Sequence, residues 1–148
     1  MIFIGSDHAG FELKARLLTY LQSKGIAVGD KGTNSSESCD YPQFAKVVCD
    51  AVLANPGSLG LLICGSGIGM SIAANKVRGI RAAVVSDPIS ARLSREHNDC
   101  QVLCLGARII SAEKAIECLE AFLGAKFDTQ NPRHQRRVDQ MSEMEKGK

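Results

Sequence analysis

The sequence predicts an α/β chain, a three-layer αβα sandwich around a parallel sheet of about five strands. Two observations carry this. Apolar runs of strand length alternate with segments of helical period, the pattern of successive strand–helix–strand crossovers. Leu59 to Cys64 is a continuous apolar run, as a strand buried on both faces of a parallel sheet requires.

The elements follow in order. Ile2-Phe3-Ile4 reads as the first strand. Leu13, Leu17, Leu18 and Leu21 recur at helical spacing, with Lys14, Arg16, Gln22 and Lys24 on the other face and Gly25 as a stop. A short strand around Ile26 to Val28 precedes a polar loop from Asp30 to Pro42. A second helix runs from Tyr41 or Pro42 to Leu53 and is ended by Asn55-Pro56-Gly57. After the Leu59–Cys64 strand come a glycine loop and a helix through Ser71 to Lys76. Arg81 to Val85 reads as a further buried strand, and Asp87-Pro88 supplies an N-cap and first-turn proline for a helix through Arg95. Val102 to Leu105 is the last strand, and Ser111 opens a helix to about Leu123. A final amphipathic stretch, Gln135 to Met144, carries Val138 and Met141 on one side.

The chain of 148 residues suits one domain, and its 45% hydrophobic and 23% charged content excludes a disordered chain, a rod or a fibre. The longest uncharged apolar stretch, near Leu59 to Ala74, is broken by Gly60, Gly65, Gly67 and Gly69 and falls short of the ~20 residues that span a bilayer. The first residues run into Asp7 without the basic region of a signal peptide. A cytoplasmic protein with reduced thiols is the expectation. None of the six cysteines forms a C-x-x-C pair, and no His or Cys cluster completes a metal site. A net charge of +2 and the lack of an aromatic platform argue against nucleic acid.

In open α/β sheets, ligands bind outside the carboxyl ends of the strands. Strand one ends in Ser6-Asp7-His8, strand three in Cys64-Gly65-Ser66-Gly67-Ile68-Gly69, and strand five in Gly106-Ala107-Arg108. The helix after strand four finishes at His97-Asn98-Asp99. This reading gathers a thiol, imidazoles, a carboxylate and a guanidinium on one rim, with Arg133-His134-Gln135-Arg136-Arg137 beside them. Glycines bring backbone N–H groups close to an anion at a helix N-terminus. A dinucleotide pattern fails at Met70, although Asp87 lies at a distance suited to a ribose and keeps a nucleotide-binding module open. A thiol at a helix N-terminus, as Cys64 is, favours the thiolate and serves as nucleophile or base; a buried structural cysteine is the alternative. Taken alone, His8 reads first as satisfying a loop, His97 as capping helix carbonyls, and the arginines as a solvated basic face.

Taken together, the segments Gly5-Ser6-Asp7-His8-Ala9-Gly10-Phe11, Asp30-Lys31-Gly32-Thr33, Asp40-Tyr41-Pro42, the run from Leu62 to Lys76, Gly79-Ile80-Arg81-Ala82, Ser94-Arg95-Glu96-His97-Asn98-Asp99 and Arg133-His134-Gln135-Arg136-Arg137-Val138 closely resemble the type B ribose-5-phosphate isomerases of the RpiB/LacA/LacB sugar-phosphate isomerase family. The match covers almost the whole chain, in order. The resemblance implies a Rossmann-like fold and a cofactor-free, metal-free interconversion of ribose 5-phosphate and ribulose 5-phosphate in pentose phosphate metabolism. It implies Cys64 as the base and His97 in ring opening. Asp7 and His8 contact the substrate, and Gly65, Ser66, Gly67, Ile68 and Gly69 with Asn98 hold the enediolate oxygens. Arg108, Arg133 and Arg137 bind phosphate. It further implies a homodimer, or a tetramer of dimers, with sites completed by the neighbouring chain and the basic helix at about 132–147 packed on the partner. Hexose-phosphate isomerases acting on allose 6-phosphate or galactose 6-phosphate belong to the same family and remain an alternative. Ser66 stands where threonine is common, and Asn131-Pro132 where a glycine pair is common.

Overall fold

The computed structural model describes residues 1–147. Strands and helices alternate as β1 (Ile2–Ser6), α1 (Phe11–Ser23), β2 (Val28–Asp30), α2 (Tyr41–Ala54), β3 (Leu59–Cys64), α3 (Ile68–Asn75), β4 (Ala82–Val84), α4 (Pro88–Glu96), β5 (Val102–Gly106), α5 (Ala112–Gly124) and α6 (Pro132–Glu145). The strands form one parallel sheet in the order β2-β1-β3-β5-β4. The α/β architecture is the expected one.

Alternation along the strands divides the core in two. Ile2, Ile4, Leu61, Ile63, Leu103 and Leu105 face Leu13, Leu17 and Leu21 of α1 and Leu119 and Phe122 of α5. Phe3, Leu62, Cys64, Val102 and Cys104 face Ala45, Val48, Cys49 and Val52 of α2 and Met70 and Ala74 of α3. Because both faces are covered, β1, β3 and β5 read in sequence as unbroken apolar runs.

The edges depart from the sequence reading. β2 lies two residues later than expected: Gly25 turns the chain at φ 71, and the strand begins only at Val28. β4 is not a buried strand. It pairs with β5 alone at the sheet margin, and Val84 is 40% exposed. α6 begins three residues before Gln135 because Asn131 caps it, its Oδ1 accepting the Arg133 N–H at 3.0 Å, with Pro132 in the first turn. The Asn131-Pro132 departure is thus a helix start. Val138 is the buried side chain of α6, whereas Met141 is exposed.

One half-buried ion pair fixes the chain where β1 ends. Lys14 of α1 is buried, with Nζ 2.7 Å from Asp30 Oδ1, and the Gly32 N–H donates to the same oxygen at 2.9 Å. The loop after β2 then extends the ladder. The Ser6 N–H donates to Gly32 O at 2.7 Å, and the Thr33 N–H to Ser6 O at 2.8 Å. Asp7 therefore leaves the sheet in a defined direction. Among the described residues, no helix is long and apolar enough to cross a membrane.

Candidate active site

β1 connects onward to β2 on one side and lies against β3 on the other, so the chain order reverses between them. At the carboxyl ends beside this point lies a cleft of ≈ 440 Å³ lined by Asp7, Tyr41, Cys64, Gly65, Ser66, Gly69, Arg108 and Ile109. A larger concavity, ≈ 640 Å³, runs along the exposed side of α6 and includes no strand-end residue. Size alone does not mark the chemistry.

Hydrogen bonds hold each group of the cleft. The Asp7 N–H donates to Ile63 O at 3.2 Å, which seats Asp7 next to Cys64, and Asp7 Oδ1 accepts the Gly10 N–H at 3.1 Å. His8 Nδ1 accepts the Cys39 N–H at 3.2 Å, so the neutral ring carries its proton on Nε2. Cys64 Sγ is buried and accepts the Gly67 N–H at 3.2 Å. Gly67 stands at the N-cap of α3 with φ 79, and a Cβ there would lie 2.9 Å from the Leu105 carbonyl carbon. Having no side chain, Gly67 offers the first turn of α3 no capping oxygen of its own. Ser66 Oγ accepts the Ile68 N–H at 3.2 Å and so shapes the same loop. From β5, the Ala107 and Arg108 N–H groups donate to Cys64 O and Gly65 O, both at 2.9 Å. The exposed Arg108 guanidinium lies against Gly65, whose Cβ position is 3.3 Å from Nη1.

Tyr41 also lines the cleft, beyond the residues expected from the strand ends. Its ring covers Gly69, where a Cβ would stand 2.5 Å from Cζ. The available signal was its place in Asp40-Tyr41-Pro42 at a helix start.

The single-rim expectation fails for four residues. His97, Asn98, Arg133 and Arg137 neither line the cleft nor adjoin a residue that does, whereas His8, Gly67 and Ile68 flank lining residues without lining it themselves. A crossover helix returns the chain to the start of the next strand, so its C-terminus lies at the amino end of the sheet. His97 caps α4 there, and Asn98 O accepts the Arg81 Nε–H at 2.8 Å just before β4 begins. α6 starts alongside. The Asp128 N–H donates to Glu96 O at 2.9 Å, and the His97 and His134 rings stack with centroids 4.2 Å apart. At its far end, Glu145 Oε2 accepts the Gly79 N–H at 2.9 Å, again ahead of β4. Arg133 and Arg137 are exposed one turn apart on the N-terminal half of α6. The candidate residues thus form two groups at opposite ends of the sheet.

Two further readings are resolved. Asp87 is occupied as the N-cap of α4, accepting from Ser90 N–H at 2.7 Å and Ser90 Oγ–H at 2.9 Å, bonds that hold its carboxyl below the usual range. Met70 is fully buried in the core, so the glycine loop does not make a dinucleotide turn. All six cysteines are free. Burial pushes the Cys49 thiol up to about 12 and Cys100 and Cys118 to about 11, and it raises Cys104 as well. Cys64 is the cysteine that lines the cleft.

A thiol, a carboxylate and a glycine loop at the switch point of a doubly wound sheet define an α/β protein with a built site for acid–base chemistry on a small ligand. The particular family follows from comparison. The model of the Ribose/Galactose Isomerase family matches residues 2–141, and the chain belongs to that family. It is 48% identical over 144 residues to ribose-5-phosphate isomerase B of Escherichia coli, covering 97% of this chain and 95% of that one. The ribose-5-phosphate isomerase B structure from Clostridium thermocellum superposes with a TM-score of 0.95 at 45% identity, covering 99% of this chain and 97% of the other. The Mycoplasma genitalium enzyme, solved with bound ribulose-5-phosphate, gives 0.94 at 42% identity, with 99% and 97% covered.

Proposed function

We propose that this chain interconverts D-ribose 5-phosphate and D-ribulose 5-phosphate by proton transfer through an enediolate. The observation that carries the reading is the Cys64 sulfur, set in the cleft with the Gly67 N–H on it and the Gly65–Gly69 loop alongside. The cleft volume suits a ligand of this size. With the open-chain aldose bound, the Cys64 thiolate takes the proton from C2, and the electrons move onto the carbonyl oxygen at C1. In the resulting cis-enediolate the O2 proton passes to O1, which moves the charge to O2; because the intermediate is planar, the same sulfur then returns its proton to C1 as the carbonyl re-forms at C2. Loop amides stabilise the oxygen that gains charge, each worth on the order of 3 kcal/mol by analogy with oxyanion-hole donors. Asp7 and His8 orient the sugar, and Arg108 meets the phosphate, whose binding aligns the reacting carbons. The pentose reading is preferred to a hexose because the relatives named above are ribose-5-phosphate isomerases. A comparison of kcat/KM on ribose 5-phosphate and allose 6-phosphate decides between them, and a higher value on the hexose overturns the pentose reading.

We further propose that a second copy supplies His97 for ring opening, Asn98 for the enediolate, and Arg133 and Arg137 for phosphate. Their distance from the cleft within one chain supports this, as do the exposed apolar side chains Ile68, Ile72 and Val84 beside the unpaired edge of β4. Cys64→Ala and His97→Ala are each expected to be inactive. Mixed in equal amounts under exchange, they are expected to recover about a quarter of wild-type activity, since half the dimers are mixed and each holds one intact site. No recovery under demonstrated exchange sinks the two-copy site.

A further inference from the structure

We propose that Arg81 and Arg95 are positioning residues that clamp the turn Asn98-Asp99-Cys100 and thereby fix His97 and Asn98 for the neighbouring copy's cleft. The inference rests on the two-copy reading above.

Three consecutive carbonyls of this turn accept from arginine. Arg81 grips two with one fork, Nε–H to Asn98 O at 2.8 Å and Nη2–H to Asp99 O at 2.9 Å. Arg95 Nη1–H reaches Cys100 O at 2.6 Å. Both guanidinium groups also face the Asp99 carboxylate, Arg95 at 3.2 Å and Arg81 at 3.6 Å.

The clamp is itself anchored. The Arg81 N–H donates to Gln101 Oε1 at 2.8 Å, and Gln101 Nε2–H donates to Gly79 O at 2.8 Å. Arg95 lies over the Phe122 ring of α5, 5.7 Å from its centroid, and its buried Nε has no partner. Held this way, Asp99 adopts φ 47, the one positive φ outside glycine among the described residues. Glycine closes most helices that end so, and aspartate is among the few side chains that take this conformation readily. Here two arginines on the Asp99 carboxylate and backbone hold it there. His97 and Asn98 lie immediately before the clamped residue, with the His97 N–H on Leu93 O at 2.8 Å.

A lysine cannot reproduce a fork across two carbonyls, so Arg81→Lys keeps the charge and loses the geometry. It is expected to lower kcat about tenfold to a hundredfold, the scale of an ångström-level misplacement. The decisive readout is complementation. Mixed with Cys64→Ala, Arg81→Lys is expected to regain about a quarter of wild-type activity, because one site in each mixed dimer then has an intact sulfur and an intact clamp. Mixed with His97→Ala, it is expected to regain nothing, since both defects fall on the same half. A wild-type kcat for Arg81→Lys overturns the proposal. So does failure of its mixture with Cys64→Ala when His97→Ala does complement Cys64→Ala. If that control pair itself fails, the two-copy reading falls first and the clamp's role with it. Should Arg81→Lys not fold, Asp99→Asn takes its place, with the same outcomes deciding.

Discussion

Gly106→Ala tests whether the position of the glycine loop controls catalysis. Gly106 lies opposite Cys64 in the β3–β5 register. A Cβ there would stand 2.5 Å from Ser66 O, 2.6 Å from Ser66 C and 2.9 Å from Ile109 Cγ1. Ordinary contact begins at 3.4 Å, so the gap to be opened is 3.4 − 2.5 = 0.9 Å. The obstacle is backbone, which cannot rotate away as a side chain can, and the residues displaced are Ser66 and Gly67, beside the Cys64 sulfur. Overpacking of this kind costs about 1–3 kcal/mol of stability. A displacement near 1 Å at the reacting groups costs about a hundredfold in rate. Urea unfolding and steady-state kinetics on ribose 5-phosphate measure the two effects separately. Gly124→Ala at the last residue of α5, where a Cβ meets nothing within 4 Å, is the control: stability no lower than wild type, with kcat unchanged. A Gly106→Ala protein that loses stability as expected but keeps kcat within about twofold refutes the argument that loop placement limits the reaction.

Three more outcomes follow from the packing. Gly69→Ala pushes on the partly exposed Tyr41 ring rather than on backbone, so it is expected to raise KM several-fold while the melting temperature stays near wild type; an unchanged KM removes Tyr41 from the cleft's working wall. Lys14→Met strands Asp30 and loosens the Gly32–Ser6 pairing, with an expected cost of about 1–3 kcal/mol in urea, toward the lower end because Asp30 is 37% exposed on its side chain. Equal stability would show that the ion pair merely offsets its own desolvation. At alkaline pH the buried thiols govern stability. Cys49 is raised to about 12 and Cys100 and Cys118 to about 11 from 9.0, so the unfolded chain releases these protons first and stability falls as pH climbs above 9. The slope approaches about 1.4 kcal/mol per pH unit for each thiol, and an equal urea midpoint at pH 8 and at pH 10 contradicts it.

The interior was legible because it answers to periodicity. Leu59–Cys64 is buried on both faces and announced itself as an apolar run, and Asp87-Pro88 capped a helix where it was expected to. The margins were less legible. Val84 is apolar whether its strand is central or at an edge, and pairing order is a tertiary fact that no local run encodes. The cleft groups Asp7, Cys64, Gly65 and Arg108 were recoverable because each ends a strand or lies within two residues of a strand's end. His97 was misplaced because proximity along a crossover was taken for proximity to the strand's carboxyl end, whereas Arg133 lies on α6, beyond the last strand, where no strand order fixes its position. Tyr41 was overlooked because what marks it is a contact across the cleft with Gly69, and a bare glycine does not say which ring will cover it.

That misplacement bears on how the molecule works. β5 has 5 residues, hence four steps between its end residues, which at about 3.3 Å per residue lie roughly 13 Å apart. His97 belongs to the end where β5 begins, Cys64 and Arg108 to the end where it finishes. The sheet between them is packed on both faces, and no rotation of a side chain or loop spans it. If His97 acts on the sugar that Cys64 deprotonates, it does so on the sugar held by another copy. A two-fold axis meets this demand economically, because one contact, repeated, completes both sites. The exposed edge of β4 and the bare guanidinium groups of Arg133 and Arg137 are then unfinished only in the single chain. On this reading assembly is part of the active site, and dilution below the dimer's dissociation constant is expected to remove activity while each chain remains folded.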